Sequence, residues 1–281
     1  MVTTARQVVL PSGEPIAALG QGTWHLAEHP ARRADEIAAI RLGLDLGMTV
    51  IDTAEMYGNG AAETLVGEAI AGRRDEVFLV DKVLPNHVSR AGTVRACKAS
   101  LARLNTDHID LYLLHWRGNV PLAETLEGFA DLAAAGLIRH WGVSNLDHDD
   151  MVELTGVPGG DQTQANQILY NLTRRGPEYD LFPWLSERNI PVMAYSPIEQ
   201  GRLLGNKALD LVARRHAATA AQIALAWVLR HDDICTIPRA STPEHVRENA
   251  GSADISLSPD DLAVLDSAFP PPTRPGPLEM L

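Results

Sequence analysis

The chain has 281 residues, of which 45% are hydrophobic and 21% are charged, with 22 glycines and 18 prolines. This composition is typical of an ordinary globular protein and excludes a disordered or fibrous one, while the length allows one large domain or two modest ones. Its 24 basic and 36 acidic residues leave a formal net charge of -12. That charge argues against a broad surface for nucleic acid or an anionic membrane, so we expect neither partner.

The predicted elements alternate between short strands and longer amphipathic helices. A hairpin is predicted first, in RQVVLPSGEP, with its turn at Pro11-Ser12-Gly13. Eight runs rich in β-branched or apolar residues then predict strands at residues 16–20, 48–52, 77–82, 109–115, 138–144, 161–167, 190–196 and 234–238. Helical periodicity fills residues 31–47 and 90–104. Thr242 and Ser258, each followed by proline, are predicted to begin two further helices.

Eight β/α units without a linker predict a single domain over residues 1–281. The expected fold class is α/β, a single (β/α)₈ TIM barrel, whose usual size of about 250 residues matches this length. We expect the short N-terminal hairpin to cover the barrel floor. The proline-rich segment PPPTRPGPLEML is expected to form a C-terminal tail.

Cysteine use and the N-terminus indicate the compartment. Cys97 and Cys235 lie far apart and belong to no CxxC or Cys/His cluster, so neither a disulfide framework nor a zinc site is expected. The ten histidines show no paired-ligand spacing, so we expect no metal. The stretch MVTTARQVVLPSGEP has no apolar run long enough for a signal peptide, and no later segment approaches the roughly 20 apolar residues that span a bilayer. We therefore predict a cytoplasmic protein.

Four polar side chains follow the ends of predicted strands, where the chemistry of such a barrel lies. They are Asp52 and Tyr57 after the second strand, Lys82 after the third and His115 after the fourth. Each alone has an ordinary explanation, since Asp52 could cap a turn, Lys82 could be solvated and His115 could be a hydrogen-bonded structural residue. Together they place an acid, a phenol, an ammonium and an imidazole on one rim, which predicts a catalytic site.

The motif IDTAEMYGNGAAE, the strand-end Lys82, LYLLHW and GVSN resemble the aldo-keto reductase superfamily over roughly residues 16–265. The resemblance implies a catalytic tetrad of Asp52, Tyr57, Lys82 and His115 that reduces a carbonyl with hydride from a nicotinamide. Tyr57 would donate the proton. Lys82 would lower the pKa of Tyr57, Asp52 would hold Lys82 in place, and His115 would hydrogen-bond the substrate oxygen.

The same resemblance implies a dinucleotide site. The residues expected to contact the nicotinamide are Ser144, Asn145 and Gln167 through its carboxamide and Tyr195 through its ring. The residues expected to lie against the pyrophosphate are Ser196, Pro197, Ile198 and Gly201. The residues expected to contact the adenosine phosphate are Arg239, His245, Glu248 and Asn249.

Three positions of the adenosine-phosphate segment depart from the pattern of the family. Arg239 stands where a lysine is usual, Ala240 replaces a serine, and His245 stands where an arginine usually binds the 2′-phosphate. Arg239 can still bind a phosphate through two N–H groups, so NADPH is the expected cofactor. The loss of one hydroxyl and one permanent cation predicts some use of NADH as well.

The substrate pocket is expected to have Trp24, Met56 and Trp116 as its walls. Short loops and a proline-rich tail imply small aldehydes or dicarbonyls. The stretches AYSPI, IPRASTPEHVRENA and PPPTRPGPLEML resemble a bacterial subgroup credited with methylglyoxal-type reduction. A monomer is the default of the family.

Three features of the sequence allow other interpretations. GQGTWH begins like a dinucleotide fingerprint at residue 20, but it lacks the third glycine and a helix that opens directly on it. Lys82 could instead form a Schiff base with a carbonyl substrate, as in barrel lyases. The chain could also be a cofactor-sensing, non-catalytic barrel subunit of a larger assembly, although it has no extra domain or long docking tail.

Overall fold

The computed structural model describes residues 6–281. The first five residues, part of the stretch in which we expect no signal peptide, lie outside the described residues. The chain then forms the predicted hairpin from antiparallel strands β1 (Gln7–Val9) and β2 (Pro15–Ala17). Gly13 lies in the turn with a φ of 87°, a left-handed conformation that glycine adopts without a Cβ clash.

Eight parallel strands follow one another in chain order around a barrel. They are β3 (Gln21–Gly22), β4 (Val50–Asp52), β5 (Phe78–Val83), β6 (Ile109–Leu114), β7 (Ile138–Ser144), β8 (Asn166–Leu169), β9 (Val192–Tyr195) and β10 (Ile234–Thr236). The sheet closes where the N–H of Thr236 donates to the carbonyl of Ala18 and the N–H of Gly20 donates to that of Thr236, both at 2.8 Å. The predicted (β/α)₈ barrel is confirmed.

Helices cover the outside of the barrel. They are α1 (Arg33–Asp45), α2 (Ala61–Ala69), α3 (Arg90–Leu104), α4 (Leu122–Ala134), α5 (His148–Gly156), α6 (Leu181–Ser186), α7 (Lys207–Arg215), α8 (Ala220–Leu229), α9 (Pro243–Gly251) and α10 (Pro259–Ala268). The side chains of Thr242 and Ser258 cap α9 and α10, which confirms both predicted helix starts. Among residues 6–281, none of the helices combines the length and the apolar character needed to cross a bilayer.

Two strand predictions were wrong in position. Residues 16–20 were expected to form the first barrel strand, but the run divides between two sheets. Ile16 and Ala17 belong to the hairpin, Leu19 bridges Thr236 of β10, and the barrel strand itself begins at Gln21. An apolar run predicts burial without telling which of two sheets it joins. The sixth strand was expected at residues 161–167, yet Gly160–Gln162 forms a 3₁₀ turn and the strand is Asn166–Leu169. All four residues of β8 are buried, whereas Asp161 and Gln162 are exposed in the turn.

The hairpin closes the floor of the barrel, as expected. Val8, Leu10 and Ile16 belong to one buried cluster with side chains from barrel strands, among them Val50, Val80, Leu111, Leu113 and Met193. A second apolar cluster fills the layer between strands and helices. The opposite, carboxyl end of the barrel carries the polar side chains, and the tail at residues 270–281 has no regular structure.

Candidate active site

Three of the four expected catalytic side chains point into the barrel because of their strand positions. Asp52 ends β4, Lys82 is the penultimate residue of β5, and His115 directly follows β6. Side chains two apart on a strand share a face. Each of the three lies two residues after a side chain of the inner cluster, namely Val50, Val80 and Leu113. They therefore form the polar upper layer of the barrel core.

Lys82 is the centre of this layer. Its Nζ donates to the carboxylate of Asp52 at 2.8 Å, to the carbonyl of Thr53 at 2.9 Å and to the hydroxyl of Tyr57 at 3.1 Å. An ammonium has three N–H donors, and all three are used here. The side chain is fully buried. Lys82 is thus held as a charged ammonium and lacks the free amine that Schiff-base formation requires.

Burial and charge act in opposite directions on the pKa values of this group. Burial raises the pKa of the Asp52 carboxyl, and the adjacent Lys82 opposes it. Burial alone would lower the pKa of Lys82, but Asp52 and Tyr57 outweigh it and raise that pKa. Burial also raises the pKa of Tyr57 more than Lys82 lowers it. Desolvation of the phenol thus leaves the pKa of Tyr57 above its ordinary value, although Lys82 lowers it as expected.

His115 is held neutral beside Tyr57. Burial, with repulsion from Lys82 second, lowers the pKa of His115 to about 2. Within residues 6–281 its buried Nδ1 has no hydrogen-bond partner, and its ring centroid lies 5.9 Å from that of Tyr57 in an edge-to-face arrangement. A neutral imidazole retains one N–H donor. His115 can therefore hydrogen-bond a carbonyl oxygen without protonating it.

The loop that carries Tyr57 has an unusual backbone. Gly58, Asn59 and Gly60 are consecutive residues with φ values of 56°, 52° and 90°. Arg103 of α3 lies directly beneath Gly60, and its guanidinium pairs through two N–H groups with the fully buried carboxylate of Glu63. The sequence motif identified Tyr57, but no signal in it identified Arg103, which comes from another helix.

We expect Gly60→Ala to reduce activity much more than it reduces stability. A left-handed alanine costs about 1–2 kcal/mol, and its Cβ would also clash with Cδ of Arg103, which would displace the Tyr57 loop. Gly72→Ala is the matched control, because Gly72 has a φ of 77° with no atom within 4 Å of the added Cβ. Thermal unfolding and kcat measure both effects. Equal activity of the two variants would contradict a positioning role for this contact.

The residues expected to bind the nicotinamide lie beside the catalytic group. Asn145 donates to the carbonyl of His115 at 3.1 Å and accepts from the hydroxyl of Tyr195 at 2.9 Å. The hydroxyl of Ser144 donates to the carbonyl of Gln167 at 2.8 Å. The side-chain N–H of Gln167 donates to Asp52 at 2.7 Å, a contact that the sequence did not suggest. Because this contact uses a side-chain N–H group, the amide oxygen of Gln167 can still accept a hydrogen bond from a ligand.

The remaining expected cofactor residues lie on two segments. Ser196, Pro197, Ile198 and Gly201 follow β9, and a Cβ on Gly201 would meet only Leu204 at 3.9 Å. Arg239 follows β10 and bridges to Gly22, while His245, Glu248 and Asn249 belong to α9. Within residues 6–281, no carboxylate pairs with the exposed side chains of Arg239 and His245. The carboxylate of Glu248 instead accepts from Thr219 at 2.6 Å, and Asn249 is buried.

The expected walls of the substrate pocket surround the same end of the barrel. The ring of Trp116 lies 4.9 Å from that of His115, and the ring of Trp24 lies 4.2 Å from that of His25. Met56 precedes Tyr57 and is 40% exposed. In the described part of the chain, no group of three or more His, Cys, Asp or Glu side chains could hold a metal ion.

The chain is similar to known proteins over nearly its whole length. Residues 18–269 match the model of the Aldo/keto reductase family. The chain is 49% identical over 271 residues to methylglyoxal reductase YeaE of Escherichia coli K12, which covers 95% of each protein. It is 29% identical to an NADH-specific methylglyoxal reductase of the same organism, over 89% of this chain and 94% of the other. A crystal structure of an aldo-keto reductase from Klebsiella pneumoniae in complex with NADPH has a TM-score of 0.95 and 48% identity, and covers 99% of this chain and 100% of that one.

Proposed function

Because the chain belongs to the aldo/keto reductase family, we propose that Asp52, Tyr57, Lys82 and His115 form the catalytic group of an NADP-dependent reductase of small aldehydes and ketones. One observation carries the assignment. The ammonium of Lys82 lies 3.1 Å from the hydroxyl of Tyr57 and 2.8 Å from Asp52, at the carboxyl end of the barrel. That pairing gives a phenolic acid a fixed cation on one side, next to a neutral imidazole.

The residues of the site fit an NADP molecule. Arg239 is an exposed cation to which no described carboxylate is paired, which suits the additional phosphate of NADP. The open space above Gly201 lets a pyrophosphate approach the backbone. Tyr195 is fixed through its hydroxyl to Asn145, so its ring is held in place for stacking. When bound, NADPH supplies the hydride.

The protein side of the reaction follows from the contacts. The neutral His115 donates a hydrogen bond to the substrate carbonyl and orients it. Tyr57, whose pKa is raised by burial, keeps its proton until the developing alkoxide takes it. Lys82 then stabilises the tyrosinate at 3.1 Å, and Asp52 holds Lys82 in position. Positioned general-acid catalysis of this kind contributes about 10²–10⁴-fold.

The proposed substrates are small aldehydes and dicarbonyls, methylglyoxal among them. This proposal is supported by the methylglyoxal reductase relatives and by a pocket that Trp24, Met56 and Trp116 would line. We also propose a monomer in the reducing cytoplasm, a location with which the two buried free cysteines, Cys97 and Cys235, agree.

The test is a panel of carbonyl compounds assayed with NADPH and with NADH. We expect methylglyoxal to oxidise one NADPH for each alcohol formed, as followed by the absorbance of the reduced nicotinamide. Borohydride trapping of substrate on Lys82 without cofactor would instead support the Schiff-base lyase. Binding of NADPH with no turnover of any carbonyl would favour the cofactor-sensing subunit.

We expect His245→Arg to raise the ratio of kcat/KM with NADPH to kcat/KM with NADH by about tenfold, roughly 1.4 kcal/mol. His245 is exposed on α9, where an added guanidinium would reach the adenosine phosphate. Glu244→Gln is the matched control, because it adds the same net charge one residue earlier on the exposed helix start. An unchanged ratio in His245→Arg, or an equal rise in both variants, would refute this assignment.

A further inference from the structure

The segment after β9, here called the cofactor loop (residues 196–205), has a costly backbone. Ser196, Glu199 and Gln200 have φ values of 49°, 50° and 55°, in the left-handed region that residues with a Cβ rarely adopt. Three such residues within five positions persist only where surrounding contacts hold them. The cofactor loop therefore depends on its anchors.

The main anchor is the carboxylate of Glu199, whose side chain is only 5% exposed. It accepts from Asn171 at 2.7 Å, from Arg174 at 2.9 Å and from Arg202 at 3.0 Å. Burial opposes the charge, but Arg174 and Asn171 outweigh it and lower the pKa of Glu199. Asn171 also donates to the carbonyl of Ser196 at 2.9 Å. Glu199 is thus a buried anion that ties the loop to the segment after β8.

Arg174 has a second carboxylate partner, in the C-terminal tail (residues 270–281). Its guanidinium pairs with Glu279 as well as with Glu199. Leu278, next to Glu279, packs against the main apolar cluster. The tail is therefore anchored near its end to the apolar layer, and Arg174 joins it to the cofactor loop.

We propose that Arg174 is a positioning residue that couples the C-terminal tail to the cofactor loop, so that the ion pair with Glu279 tightens dinucleotide binding. Pairing with Glu279 restricts the guanidinium to the position in which it also holds Glu199. Coupling between two sites is reciprocal, so a bound dinucleotide also holds the tail in its paired position. The inference rests on the proposed function, since it concerns the cofactor of that same site.

The first experiment measures the dissociation constant of NADP⁺ by quenching of intrinsic fluorescence. Because the ion pair is partly exposed, Glu279→Gln should raise this constant by only about two- to fivefold. Glu187→Gln is the matched control, since Glu187 pairs at 3.5 Å with Arg188 and is 75% exposed. Arg174→Gln should raise the constant by about tenfold, because the buried carboxylate of Glu199 then loses a charged partner.

A variant with both substitutions, Arg174→Gln and Glu279→Gln, shows whether their effects on NADP⁺ binding are coupled or additive. In the Arg174→Gln background, Glu279→Gln should have no further effect on NADP⁺ binding, because its partner is already absent. A second readout tests reciprocity. NADP⁺ should slow the removal of tail residues from the wild-type enzyme by carboxypeptidase, followed by mass spectrometry, and should protect the Glu279→Gln variant less.

The outcomes distinguish this inference from the proposed function. The coupling is overturned if Glu279→Gln binds NADP⁺ with the same dissociation constant as the wild type and Glu187→Gln. It is also overturned if the two substitutions have additive effects in the double variant. Neither result affects the assignment of the catalytic group. A wild-type protein that binds neither NADP⁺ nor NADPH overturns the proposed function and the coupling with it. Glu279 is half-exposed, so its variant tests the inference even if Arg174→Gln fails to fold.

Discussion

Tyr57→Phe is expected to lower kcat for carbonyl reduction by about 10²–10⁴-fold, the usual contribution of a positioned general acid. The substitution removes only the hydroxyl, which lies 3.1 Å from Lys82 and is the proton source in the proposed reaction. The ring that packs edge-on against His115 remains. Steady-state kinetics with a small aldehyde and NADPH measure the loss.

Two further measurements make the tyrosine result specific. The dissociation constant of NADP⁺ should change little. The midpoint of thermal unfolding should fall only modestly, because the buried Lys82 loses one of its three acceptors and keeps the other two. Tyr179→Phe is the matched control, since Tyr179 is 46% exposed. Turnover like that of the wild type in Tyr57→Phe would refute the assignment of Tyr57 as the acid.

Lys82→Met is expected to abolish measurable turnover and also to destabilise the fold by about 3–5 kcal/mol, the usual effect of removing one partner of a buried ion pair. The carboxylate of Asp52 would stay buried without its cation, at a site where both side chains are almost fully enclosed. Tyr57 would lose the charge that stabilises its deprotonated form. The free energy of unfolding, measured with denaturant, and kcat should therefore both fall. In Tyr57→Phe, by contrast, the main loss is in kcat.

A rescue variant separates the two effects of Lys82. Combining Lys82→Met with Asp52→Asn replaces the unpaired carboxylate by a neutral amide, so much of the stability should return while turnover stays absent. Lys98→Met on α3 is the control for loss of an exposed lysine. Stability like that of the wild type in Lys82→Met would contradict the buried ion pair, and retained turnover would contradict its catalytic role.

Local sequence patterns predicted much of the architecture, for identifiable reasons. Strand runs such as residues 138–144 contain enough apolar and β-branched residues to mark both ends of the strand. Thr242 and Ser258, each followed by a proline, predicted two helix starts correctly, since capping depends on neighbours in the chain. The strands predicted at residues 16–20 and 161–167 were misplaced. An apolar run predicts burial but not the partner strand, and the residues that begin the second run lie in a turn.

The sequence by itself determined the barrel, the family resemblance and the positions of Asp52, Tyr57, Lys82 and His115, because motif spacing and strand ends are local properties of the chain. Only the tertiary structure decided how these groups act on one another. It showed that burial outweighs Lys82 at Tyr57, and that Gln167 contacts Asp52. It also joined Arg103 to Gly60, and Arg174 to Glu279. Desolvation and contacts between distant segments depend on the packing of the whole barrel, so they are not readable from any local stretch of the chain.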